Sequence, residues 1–190
     1  MHDPLKVMIL RRAELDAYVE LPGITSRLNT VASPLGGTFG MVRSGGHKRH
    51  GGWDLYAAVG TPCFAVCGCQ FEFEGVISGY GLCLVLKLLD PEAISLARRH
   101  GAENLYALYA HLASVTAGRA SYMAGAPVAL AGNSGNASNT PPHLHLEIRT
   151  TPLPKRGDGA AIDPAELLGS APLVSRSDDV VRLKRIYGLR

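Results

Sequence analysis

The run His143–Arg149, His-Leu-His-Leu-Glu-Ile-Arg, alternates polar and apolar residues without a break, and it constrains the chain more than any other stretch. Read as a strand, it places His143, His145, Glu147 and Arg149 on one face and Leu144, Leu146 and Ile148 on the other. The apolar face anchors the strand in a core, and the polar face projects two imidazoles into one space. Such a strand needs neighbours, and short apolar runs at residues 55–58, 63–66, 76–78, 82–88, 105–112 and 127–131 supply them. Gly60-Thr61-Pro62 and Gly79-Tyr80-Gly81 are turn signals between these runs. With 22 glycines and 12 prolines among 190 residues, the pattern specifies a mainly β domain of short antiparallel strands.

One helix is well marked. Asp90 is a good N-cap, Pro91 suits the first helical position, and Glu92 favours the positive end of the helix dipole. Arg98, Arg99 and His100 fall in the last turn, and Gly101 closes it. A second, short helix is expected to start at Asp163-Pro164-Ala165-Glu166. The first part of the chain reads as a strand at 6–10 and a helix at 12–20, broken by Pro22-Gly23. The expected organisation is an N-terminal arm (1–32), one domain (33–170) and a charged C-terminal tail (171–190), either an arm or a partner-binding helix.

Composition excludes little. The net charge of +3 and pI near 8.7 suit acidic polymers but decide nothing. No apolar run is long enough to cross a bilayer. Residues 1–20 show no secretory signal, because Arg11 and Arg12 interrupt the only apolar stretch after Lys6. Cys63, Cys67, Cys69 and Cys83 match neither a zinc ribbon nor a redox pair, and are expected to pack as small apolar residues, the alternative being a disulfide in an oxidising compartment.

Three segments carry chemistry. His143-x-His145 suits a metal site, although two solvated histidines on a sheet face would look the same. His50-Gly51-Gly52-Trp53-Asp54 offers an imidazole and a carboxylate that converge on one ion if the segment forms a tight loop; both are normal zinc ligands. A Gly-rich loop with a capping Asp is the plainer reading. His111, in Tyr109-Ala110-His111-Leu112, is by itself an ordinary core histidine. His47 is a rival to His50 in the basic loop 47–49, and His2 and His100 read as surface residues.

Order, spacing and neighbours together resemble the lysostaphin-like zinc metallopeptidases. The resemblance runs from Phe39-Gly40-Met41-Val42-Arg43 through His50-x-x-x-Asp54, Tyr109-Ala110-His111-Leu112 and Gly132-Asn133-Ser134-Gly135 to His143-x-His145. Ala57-x-x-Gly60-Thr61-Pro62, Gly125-Ala126-Pro127-Val128 and Ile162-Asp163-Pro164 also agree, so that it covers about residues 33–168. It implies an antiparallel β-sheet groove with a few short helices and terminal arms. It implies Zn2+ held by His50, Asp54 and His145 with an open fourth position. It makes His111 and His143 the catalytic histidines, one as general base and the other as oxyanion donor, without saying which. Within the pattern His47 fits less well than His50.

The implied substrate is the peptide stem of bacterial peptidoglycan, cut at a D-Ala–meso-diaminopimelate cross-link or a glycine-rich bridge; nucleic acid is not an implied partner. The first bond is the preferred expectation. The alternative is a non-catalytic relative that binds wall peptide or activates an amidase, but such relatives usually lack site residues and all five are present here. A third reading is a different peptide substrate. Action at the wall or periplasm without a leader suggests delivery by a phage or a secretion machine, with an inhibitor (immunity) protein as a partner. The chain departs from the pattern in an insert carrying the 90–100 helix, either a groove wall or a packing element, and in a proline-bearing loop at 136–142.

Overall fold

The computed structural model describes residues 1–5, 37–116, 120–155, 157, 159–169, 181 and 185. The strand expected at 6–10, the helix at 12–20 and the tail from 171, apart from two of its positions, lie outside the described residues.

Alternation and turns produce the elements in the expected order. A small antiparallel hairpin, β1 (Gly40–Arg43) and β2 (Lys48–His50), comes first. The remaining strands join one antiparallel sheet: β3 (Trp53–Tyr56), β4 (Pro62–Phe64), β5 (Cys69–Ile77), β6 (Gly81–Leu88), β7 (Tyr106–Val115), β8 (Ser121–Tyr122), β9 (Pro127–Ala131), β10 (His143–Arg149) and β11 (Ala161–Ile162). Its main path runs β11-β10-β7-β6-β5-β8, while β3 also pairs with β10 and β9 joins β7 to β4. The helices are α1 (Pro91–Arg99) and α2 (Ala165–Leu168). The fold is mainly β, as the sequence indicates.

β10 matches its sequence-based bounds because it is buried along its whole length. β5 does not: the strand expected at 76–78 begins at Cys69. Gln70, Glu72 and Glu74 are exposed or interrupt the apolar pattern, and a half-solvated antiparallel strand has only a weak apolar signature.

The two faces of the sheet have different tasks. Leu84, Leu86, Ala107, Tyr109, Leu144, Leu146 and Ile148 enter the main core, together with Ala93, Leu96 and Ala97 of α1. Each fully buried leucine there contributes about 1.5–3 kcal/mol of transfer free energy. The opposite face carries a smaller cluster of Cys83, Val85, Leu108 and Ala110, and beside it the polar residues of β10. α1 begins as expected, with Asp90 Oδ1 accepting from the Glu92 N–H at 3.0 Å. Its insert packs on the core and lines no part of the groove. His100 donates from Nε2 to Glu166 Oε2 (2.9 Å), which ties α1 to α2.

All four cysteines are buried free thiols. Burial pushes Cys63, Cys69 and Cys83 up to about 12 and raises Cys67 as well, so no thiolate is present at neutral pH. Iodoacetamide at pH 8 is therefore expected to leave the native chain unmodified and to add four groups in denaturant, read by intact mass. A native cysteine that reacts quickly would contradict this packing.

Candidate metal centre and active site

The register of β3 against β10 sets Asp54 opposite His145 and Trp53 opposite Leu146. Directly opposed residues share a face, so Asp54 points with His145 while the core takes Leu146. His50 arrives from β2 through Gly51 and Gly52, and both glycines are needed for the approach. A Cβ on Gly51 would stand 2.5 Å from Glu147 Oε1, and one on Gly52 would stand 2.1 Å from the Leu146 carbonyl oxygen. The loop thus lies directly on β10, which closes His50 onto Asp54.

Three donor atoms meet there. His50 Nε2 lies 3.1 Å from Asp54 Oδ1 and 3.2 Å from His145 Nδ1, and His145 Nδ1 lies 2.7 Å from Asp54 Oδ1. A tetrahedral zinc with bonds of about 2.0–2.1 Å holds its ligand atoms roughly 3.3 Å apart. Outward shifts of a few tenths of an ångström would open room for the ion, and the donor set of two imidazoles and a carboxylate fits it. Among the described residues, this is the group that can hold a metal.

The other polar atom of each of these three side chains is also engaged. His50 Nδ1 donates to the Thr38 carbonyl (2.6 Å), which leaves Nε2 with its lone pair facing the centre. Asp54 Oδ2 accepts from Arg43. His145 Nε2 donates to Glu147 Oε1 (3.0 Å), and Glu147 Oε2 accepts from Arg149. Burial lowers the pKa of His50 despite the pull of Asp54. Burial works against ionisation of Asp54, but His50, His143 and Arg43, with the His145 hydrogen bond, hold it well below the usual carboxylate range. For His145 burial again opposes charge, yet hydrogen bonds to Asp54 and Glu147 raise it to about 9.

His111 and His143 complete the groove. His143 stands two residues before His145 on the same face of β10, with Nε2 3.7 Å from Asp54 Oδ1. His111 needs a different device. On a regular β7 it would follow Tyr109 into the core, since Ala110 is the residue opposite His145. A break in the β6–β7 register and a φ of 60° at His111 turn it into the groove instead. Extra residues of this kind re-aim side chains beside functional sites, and a left-handed non-glycine backbone is tolerated best by residues such as His, Asn and Asp. His111 N–H donates to the Tyr80 carbonyl (2.9 Å), and its Nδ1 to the Ser134 carbonyl (2.9 Å). His143 Nδ1 likewise donates to the Pro141 carbonyl (2.9 Å). A carbonyl only accepts, so both imidazoles carry a proton on Nδ1, which leaves Nε2 as the nitrogen that can exchange one. Their ring centroids are 4.9 Å apart.

The structure therefore brings His50, Asp54, His111, His143 and His145 together at 3–8% exposure around a groove of about 470 Å³. His47 is exposed after the turn at 44–46 and stands outside the group. Residues not singled out for a role from sequence are Arg43, Tyr80 and Glu147, all on the groove. For Glu147 the signal was available, since it shares the histidine face of β10.

The structure is similar to known ones. The catalytic domain of the antimicrobial peptidase lysostaphin from Staphylococcus simulans superposes with a TM-score of 0.53 at 21% identity, over 70% of this chain and 90% of that one. Lysostaphin itself, from the same organism, gives 0.52 at 21%, over 76% of this chain and 54% of that one. LytU gives 0.51 at 23%, over 66% and 76%. At these identities the likeness shows the lysostaphin-like fold. No curated protein sequence matches the chain. The profile of peptidase family M23 matches residues 48–164, more than half of the 190 residues and a span that contains all five groove residues. With the fold, the three converging donors and that match together, the chain belongs to peptidase family M23.

Proposed function

We propose that this chain is a zinc-dependent endopeptidase that hydrolyses peptide cross-links of bacterial peptidoglycan, between D-Ala and meso-diaminopimelate. The observation that carries this reading is the convergence of His50 Nε2, Asp54 Oδ1 and His145 Nδ1, with the other nitrogen of each histidine already committed. These three would hold the zinc, which when bound supplies Lewis acidity and a nucleophilic water at neutral pH.

The chain's own residues do the rest. His111 and His143 each hold a proton on Nδ1 through their bonds to the Ser134 and Pro141 carbonyls, so Nε2 is the atom that acts, unprotonated in the base and protonated in the oxyanion donor. One takes a proton from the attacking water at Nε2 and returns it to the leaving amine. The other, protonated at Nε2 from the start, donates to the developing oxyanion. Their Nδ1 anchors keep both rings aimed while protons move, so little reorganisation is needed at reaction.

The walls of the groove support the choice of bond. Arg43, Lys48 and Arg49 line it from the β1–β2 hairpin, while Gly79, Tyr80, Asn136, Ala137 and Thr140, from the β5–β6 turn and the 134–140 loop, carry no charge. The two lining carboxylates, Asp54 and Glu147, are buried and paired. Such a lining attracts a substrate with carboxylates of its own. A diaminopimelate cross-link carries them, and a glycine bridge does not.

Digestion of both wall types tests this. Mass spectrometry should show cross-linked dimers of diaminopimelate-type peptidoglycan becoming monomers, with chelator stopping the loss and zinc restoring it. Intact dimers from a zinc-loaded protein, or faster cutting of glycine-bridged walls, would overturn the proposed bond.

A further inference from the structure

Glu147 is 1% exposed on the polar face of β10, yet it is neither a member of the three-donor group nor a solvated partner for a lone arginine. Its two oxygens are used differently. Oε2 accepts from Arg149, while Oε1 accepts from both Tyr80 Oη (2.9 Å) and His145 Nε2 (3.0 Å). The neighbouring chain leaves room for this carboxylate, since any side chain on Gly51 would begin 2.5 Å from Oε1. The Tyr80 ring also stands edge-on to the His145 ring, with centroids 5.7 Å apart.

This arrangement settles a choice that the His145 imidazole cannot make alone. A neutral imidazole carries its proton on either nitrogen and binds a metal only through the other. An ionised acceptor at Nε2 favours the tautomer with its proton there and its lone pair on Nδ1, the atom that faces Asp54 and His50. It also stops rotation of the ring about its bond to Cβ. Arg149 in turn keeps the carboxylate from swinging away, and its charge is itself balanced by Glu147.

We propose that Glu147 is the positioning residue of the metal centre: clamped by Arg149 and Tyr80, it holds the Nε2 proton of His145 and commits Nδ1 to the ion. This rests on the reading of His50, Asp54 and His145 as a zinc site. Carboxylates that orient a ligating histidine typically contribute 10–100-fold to metal affinity.

Zinc affinity, measured on the full chain by competition with a chromophoric chelator, tests the proposal without reference to activity. Glu147→Gln turns an amide N–H toward either Arg149 or His145 and leaves Arg149 without its counter-charge, so it is expected to lose stability as well as zinc. The double variant Glu147→Leu/Arg149→Met removes both charges of the pair together with the acceptor at His145 Nε2 and is expected to fold, because replacing a buried ion pair by apolar residues is far better tolerated than breaking it. Its zinc Kd should rise about 10–100-fold while metal-free melting stays near wild type. Tyr80→Phe deletes one hydroxyl at the groove wall, and its Kd should rise about 2–10-fold. Wild-type affinity in the double variant and in Tyr80→Phe would overturn the role of Glu147 alone. A wild-type chain that binds no zinc would overturn the reading of the site beneath it.

Discussion

Replacing His145 by alanine is expected to slow cross-link cleavage by on the order of 10³-fold or more and to leave the domain folded. Two arguments set the size of the effect. His145 supplies one of the three donor atoms, and its Nδ1 is the atom that joins the other two, at 2.7 Å from Asp54 and 3.2 Å from His50. Without it the group has two donors, and catalytic zinc sites use three. The fold survives because Leu144 and Leu146 still hold β10 in the core and the backbone ladders to β3 and β7 are untouched. Asp54 and Glu147 keep Arg43 and Arg149 as partners, so no buried carboxylate is left without a counter-charge. Rates on isolated muropeptide dimers, beside a thermal melt, check both halves. A folded variant with more than a tenth of wild-type activity would show that His145 is not a ligand.

Gly52→Ala is expected to be the most damaging conservative change in the loop between β2 and β3. The new methyl would stand 2.1 Å from the Leu146 carbonyl oxygen, 2.8 Å from its carbonyl carbon and 3.0 Å from Glu147 Cγ. Two of these atoms belong to the backbone of a fully buried strand, which cannot yield as a flexible side chain would. The loop has to lift instead, and it carries His50 at one end and Asp54 near the other. A loss of about 2–4 kcal/mol is expected, lowering the melting temperature by roughly 5–15 °C for a domain of this size. Zinc retention should fall with it, because the donors separate. Gly68→Ala is the control: nothing lies within 4 Å of a Cβ there, and stability should stay within about 0.5 kcal/mol of wild type. Equal melting of the two variants would contradict the close approach of the loop to β10.

Much of this is legible in the sequence. Alternation in β10 made its two faces readable, and Asp90-Pro91 marked the start of α1 to the residue. The five groove residues could be named because each sits in a short motif with demanding neighbours. What sequence hid has physical reasons. β5 looks shorter in the sequence than it is because its outer side is solvated and carries Glu72 and Glu74. The orientation of His111 depends on a bulge and a left-handed backbone, for which Tyr-Ala-His-Leu contains no glycine signal. Whether the insert with α1 walls the groove or packs on the core is a tertiary question, which the burial of Ala93, Leu96 and Ala97 answers. Alternation alone puts Glu147 on the histidine face, but its proposed role emerges only from where Gly51, Tyr80 and Arg149 meet it.

The most direct test of the central claim is anomalous diffraction at the zinc edge from crystals of the chain grown with zinc. One peak bonded to His50 Nε2, Asp54 Oδ1 and His145 Nδ1 is the predicted result. A peak elsewhere, such as among Cys63, Cys67 and Cys69, or no peak from a protein that still cleaves cross-links, would contradict the account.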